Sequence, residues 1–244
     1  MASTQRSGVL WRLALYAEAG EAGGSVGATG RARRKRAGRL DPERAAEEAT
    51  RRARGQIRRY CAANRLNRLG TLTYRGEGCH DPAVLRGHVS GFFRALRRGL
   101  DGESFPYVWV PQWHPGGHGL HVHFAVGRYV SRGLIERAWG RGFVHIKLLG
   151  DLPVGSSALE EARLAARYIS PYVSRSLGEA QPPGRHRYEV AEGFQPESIE
   201  CYGPTLDVAL DSACKVMGRP PAYVWLSFRE EGWDGPPAGW ARWD

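Results

Sequence analysis

The chain has 244 residues and a formal net charge of +10, with a sequence pI near 9.8. That length suits one domain with appendages, and the charge favours a polyanionic partner, nucleic acid ahead of a membrane surface. Several classes are disfavoured: no apolar run approaches the ~18–20 residues of a membrane span, and no Gly-x-x-x-x-Gly-Lys-Ser/Thr phosphate loop occurs. Cys61, Cys79, Cys201 and Cys214 form no Cys-x-x-Cys pair, as expected of reduced thiols in a cytoplasmic protein. The positive charge is nearly all arginine, with lysine only at Lys35, Lys147 and Lys215. A GC-rich coding sequence gives the same skew, so charge alone does not fix the partner.

Residues 1–38 read as an unstructured arm. An apolar patch over 9–17 is broken by Arg12, 20–30 is a Gly/Ala/Ser linker, and 31–36 is a basic cluster suited to phosphates or to solvent. Asp41-Pro42-Glu43 starts a helix running to about Ala63; its few apolar anchors, Ile57 and Tyr60, predict a surface position. Residues 66–74 form a strand with Leu69, Thr71 and Thr73 on one face and Leu72 and Tyr74 on the other. Asp81-Pro82 starts a second helix. Its apolar positions Val84, Leu85, Val89, Phe92, Phe93 and Leu96 recur at helical spacing, and Gly99 ends it.

Strands over 105–112 and 120–126 follow, joined by a glycine turn. His121 and His123 sit two apart, so both imidazoles leave one face while Leu120, Val122 and Phe124 leave the other. Such a pair is half of a divalent-metal site. Gln112, His114 and His118 compete for the third ligand, with Gln112 ranked first and His114 second. Ser131 caps a short helix through Trp139, and 143–149 is a further strand. A helix over 157–177 follows, with a kink or break expected at Pro171. Beyond it lie a loop over 181–186, a short strand over 187–194, a helix over 205–217 and an edge strand over 222–228. Residues 231–244 are a Trp/Gly/Pro-rich tail without a placement.

The middle of the chain thus reads strand, helix, strand, strand, helix, strand. That is the order of an α+β, ferredoxin-like (RRM-like) antiparallel sheet, a βαββαβ core followed by a tyrosine-bearing helix. Two helices would cover one face and leave the other open for a site. One domain over 39–230, with its core at 66–177, is expected.

Three segments stand in a fixed order: Leu69-Gly-Thr-Leu-Thr-Tyr74, His121-Val-His123 and Tyr168-Ile-Ser-Pro-Tyr172. Together they resemble the HUH endonuclease superfamily, and within it the rolling-circle replication initiators of plasmids, phages and integrative elements. The resemblance implies a metal-dependent nicking and joining enzyme that acts on single-stranded or hairpin origin DNA. Tyr168 or Tyr172 would attack a phosphodiester and stay joined to the 5′ phosphate. His121, His123 and Gln112 would hold Mg²⁺ or Mn²⁺. A phenol ionises only near pH ~10, so a cation at the scissile phosphate makes chemical sense. A host helicase and polymerase would be partners. The family usually has lysine where Pro171 stands and often glutamate where Gln112 stands; Arg175 could restore the lysine's charge. Arg128 and the other arginines at 97, 98, 132 and 137 could follow phosphates, and Trp113 could stack an unpaired base. The alternatives are a non-catalytic nucleic-acid-binding module on an RRM-like sheet, a relaxase or transposase of the same superfamily, or a metal-dependent hydrolase unrelated to nucleic acid.

Overall fold

The computed structural model describes residues 9–28, 42–147, 155–175, 188–233 and 235–244. The chain divides into two compact units, Ala49–Gln195 and the pair of segments Met1–Glu48 and Pro196–Asp244.

The Ala49–Gln195 unit contains most of α1 (Pro42–Ala63), then β3 (Arg68–Tyr74), α2 (Pro82–Arg98), β4 (Tyr107–Trp113) and β5 (Leu120–Val126). It continues with α3 (Arg132–Trp139), β6 (Gly142–Lys147), α4 (Ala158–Arg175) and β7 (Glu189–Val190). The strands form one sheet in the order β6-β3-β5-β4-β7, every neighbour antiparallel. The first strand of the βαββαβ series therefore lies between the last and the third, which is the ferredoxin-like arrangement expected of this α+β core.

Period-2 alternation sends each strand's side chains to two different cores. Leu72, Trp109, Val122, Phe124 and Val144 meet Leu85, Val89 and Phe92 of α2 and Ile135 and Trp139 of α3. Gly70 is required there, because a Cβ would stand 2.3 Å from the Phe124 ring. Asp81 accepts from the Ala83 amide at 2.7 Å, and Ser131 accepts from Leu134 at 3.4 Å, so both expected helix starts are capped.

The opposite face is not open. Leu69, Val108, Val110 and Ala125 pack against Ile57, Tyr60 and Cys61 of α1 and Ala165, Ala166 and Ile169 of α4. The expectation that α1 lies on the surface is corrected in the same way. Its alanines are the reason few anchors suffice: Ala53 and Ala62 are buried too, and small side chains let a helix approach closely. The helix α4 also runs unbroken through Pro171.

The other unit corrects the expected arm and tail. Residues 9–28 are a hairpin, β1 (Val9–Tyr16) and β2 (Glu21–Ala28). With β8 (Ile199–Gly203), β9 (Tyr223–Leu226) and β10 (Ala238–Arg242) they form a second antiparallel sheet in the order β8-β1-β2-β10-β9. The helix α5 (Leu206–Met217) packs Ala209 and Ala213 against Leu13, Leu15, Cys201 and Ala241. Arg12 interrupts nothing, since it occupies an outward position of the alternation and pairs with Glu200. The glycines of β2 are packing residues: a Cβ on Gly24 would stand 1.9 Å from the Arg12 carbonyl oxygen. The expected boundaries at 38, 39–230 and 231 thus give way to a unit built from both ends of the sequence. The expected edge strand over 222–228 is β9, at the edge of this second sheet. The basic cluster at 31–36 and the loop at 181–186 lie outside the described residues.

Candidate active site

Every residue of β5 is buried, the two histidines included. His121 is 8% exposed and His123 6%. Register supplies their neighbours. Gln112 on β4 stands opposite His121, and Thr71 on β3 and Val110 on β4 flank His123. Their polar atoms converge. The two imidazole Nε2 atoms are 3.0 Å apart, and Gln112 Oε1 lies 3.2 Å from His121 Nε2 and 2.8 Å from His123 Nε2.

Protonation makes this triangle acceptor-rich. Thr71 Oγ1 lies 3.1 Å from His123 Nδ1; a proton on Nδ1 donated to that hydroxyl leaves a lone pair on Nε2. His121 is held neutral, its pKa lowered to about 4, chiefly by burial and secondarily by the nearby charge of His114. Its Nδ1 is buried without a hydrogen-bond partner. Two nitrogens and an amide oxygen facing one point, with few protons among them, suit a cation. An octahedral cation with bonds of about 2.0–2.1 Å requires neighbouring ligands about 2.9 Å apart, close to the three separations here.

The tyrosines of α4 stand over this cluster. Tyr168 and Tyr172 are one turn apart and share a face, with ring centres 5.6 Å from each other. The Tyr172 ring lies flat on His123, centres 3.5 Å apart and planes 11° from parallel. Lys147, on β6, places its Nζ 4.3 Å from the centre of the Tyr168 ring. Sequence reasoning missed Lys147. A signal existed, since it is one of three lysines in a chain that otherwise uses arginine.

The remaining expectations separate. His114 ranks below Gln112 by geometry: its ring centre is 5.5 Å from that of His121, and its Nδ1 accepts from the Gly116 amide. The His118 ring centre is 5.3 Å from His114, outside the triangle. Among the described residues no three His, Cys, Asp or Glu side chains form a metal-binding group, so the amide of Gln112 is what completes this one. Trp113 is not beside the site. It alternates onto the opposite sheet face and packs against the α2/α3 core. Arg128 is engaged with Glu103 at 3.1 Å. Arg175 ends α4, and its side chain lies outside the described residues. Among the described residues no helix is long and apolar enough to cross a membrane.

A ferredoxin-like sheet with an imidazole pair beneath a tyrosine-bearing helix has the class of site that the resemblance to replication initiators implies. Residues 67–177 match a family model of replication-associated proteins, the ORF2 type, which supports a replication-initiator role acting at origin DNA. No curated protein and no solved structure matches the chain.

Proposed function

We propose that the 67–177 segment nicks and rejoins single-stranded origin DNA to start rolling-circle replication, through a phosphotyrosine intermediate. The observation that carries this reading is the triangle of His121 Nε2, His123 Nε2 and Gln112 Oε1 beneath the Tyr168–Tyr172 pair. These three atoms would hold Mg²⁺ or Mn²⁺, whose charge would polarise the scissile phosphate and offset the negative charge that develops on it.

The chain's own residues do the rest. Thr71 fixes the His123 ring through Nδ1, and Tyr172 fixes the same ring by stacking. Tyr168, the first tyrosine, is the assigned nucleophile. Its phenolic oxygen bonds to phosphorus as the bond from phosphorus to the 3′ oxygen breaks. The phenol proton leaves to solvent, and the 3′ oxygen gains a proton to become a hydroxyl that can prime synthesis. The reverse attack by a 3′ hydroxyl rejoins the strand without ATP, because the phosphodiester energy is conserved in the tyrosyl bond. Lys147 supplies beside Tyr168 the ammonium that Pro171 cannot. A host helicase and polymerase complete the scheme.

The test is incubation with labelled single-stranded oligonucleotides carrying origin hairpins and Mn²⁺, followed by a denaturing gel. A covalent band lost with EDTA, with His121→Ala and with Tyr168→Phe is expected. Binding without any adduct across a broad origin library would favour the non-catalytic module and sink the nicking reading.

A further inference from the structure

The largest cavity among the described residues is not at the histidines. It encloses about 520 Å³ beside the β7 edge of the sheet and is lined wholly by residues of the Ala49–Gln195 unit. Ser90, Arg94 and Arg97 project along one side of α2, and Ser104 and Tyr107 come from the segment entering β4. Glu192 and Phe194 follow β7. Tyr107 belongs to the set of β4 side chains that face α2, whereas Gln112 alternates onto the α4 face. Five residues of strand, about 17 Å at ~3.3 Å each, separate the two positions.

The chemistry of the lining is specific. Neither the Arg94 nor the Arg97 guanidinium forms an ion pair with a described residue, whereas Glu189 on the same rim is engaged with Arg86. Glu192, by contrast, carries a carboxylate with no ion-pair partner among the described residues. Burial pushes the Tyr107 phenol up, Arg97 pulls it down, and Glu192 pushes it up again, so both charges act at the same hydroxyl. The Tyr107 ring is anchored flat on Phe93, with centres 3.6 Å apart, and Phe105 lies edge-on to it. Two uncommitted guanidiniums, an uncommitted carboxylate and an aromatic wall fit a ligand with an anionic end, an N–H-bearing end and a flat apolar body between them.

We propose that this cavity binds a guanine nucleotide unit, with its phosphate at Arg94 and Arg97 and its base edge at Glu192. Guanine is the base whose edge offers a ring N–H and an adjacent amine together, which one carboxylate can accept as a pair. The volume falls within the range of small-molecule sites. The nucleotide is either free or one unit of a DNA strand, and the two sources share this chemistry. The proposal is independent of the nicking reaction, since it involves neither the histidines nor the α4 tyrosines.

The experiment uses the full chain in EDTA, so that no adduct forms, with calorimetry for the four deoxynucleoside monophosphates. Anisotropy is measured in parallel for a thymidine oligonucleotide with and without one central guanosine. Arg94→Ala/Arg97→Ala is compared with the charge-matched Arg98→Ala/Arg137→Ala, whose residues lie outside the cavity, and with Glu192→Ala. Thermal melts confirm that each variant folds. Loss of charge-assisted contacts predicts about tenfold or greater weakening in the first pair alone, and loss of guanine preference in Glu192→Ala. If this is seen with the monophosphates, the ligand is a free nucleotide; if only with the oligonucleotide, it is a strand nucleotide. Equal weakening in both arginine pairs, no weakening in either, or equal binding of guanine- and thymine-bearing ligands overturns the proposal.

Discussion

His121 and His123 occupy two positions of a strand with no exposed residue, where an apolar side chain would cost nothing in desolvation. Their neutral state has a measurable consequence. The folded pKa of His121 is about 4, below the ordinary imidazole value of about 6.5. Between these values the unfolded chain binds a proton that the folded chain does not. Stability is therefore complete above about pH 6.5 and is lost as pH falls toward 4, by on the order of 2 kcal/mol. Urea unfolding in EDTA at both ends of that window should show the loss, and His121→Ala should reduce it; an unchanged pH dependence in the variant would rule out His121 as its source. The third ligand gives a prediction of opposite sense. Gln112→Glu puts a charged oxygen at a corner of the triangle, and Mn²⁺ affinity, followed by electron paramagnetic resonance, should rise by about tenfold or more. Lys147→Ala should slow Mn²⁺-dependent adduct formation by about tenfold while leaving the thermal melt near that of the parent chain, as removal of one electrostatic contact to a reacting group does. A variant that forms adduct at the parent rate would show that the ammonium over Tyr168 is only a packing contact.

Among the elements, β3 and β5 set the geometry, and their facing residues explain why. Gly70 lies under the Phe124 ring, and the same two strands align Thr71 with His123. Gly70→Ala forces the ring or the strand to move, and overpacking of this kind costs about 1–3 kcal/mol. Chemical denaturation should show that loss, together with weaker Mn²⁺ binding, because a displaced Phe124 moves the strand that carries both histidines. The helix α4 is held differently. Proline removes one backbone donor, yet the helix persists, and the Ser170 hydroxyl donates to the Ala166 carbonyl at 2.6 Å in the same turn. Buried Ala165, Ala166 and Ile169 fasten the helix to the sheet. Tertiary packing therefore overrides the local penalty, and the two tyrosines keep one face.

For the molecule as a whole, the net charge of +10 predicts that oligonucleotide affinity falls steeply with salt, linearly in log–log form, through counterion release. A flat salt dependence would contradict a nucleic-acid partner. The unit formed by Met1–Glu48 and Pro196–Asp244 went unread because its signals are split. Trp11, Leu13 and Leu15 alternate over one short strand, but the residues they bury against, Cys201, Ala209, Ala213 and Ala241, arrive almost two hundred residues later. Gly23 and Gly24 read as linker because a glycine needed for close strand packing has the same letter as a glycine in a flexible tether.

The sequence by itself determined the order of elements in the central unit, the capped starts of α2 and α3, the same-face histidine pair and the tyrosine pair one helical turn apart. These are properties of local periodicity and capping, which act within a few residues. Only the tertiary structure decided that Gln112 closes a triangle with both histidines, that Lys147 stands over Tyr168, that Trp113 faces away, and that α1 and α4 cover the face expected to be open. Each depends on strand register and on helices packed from distant parts of the chain, and a one-residue change of register would send every one of those strand side chains to the other face.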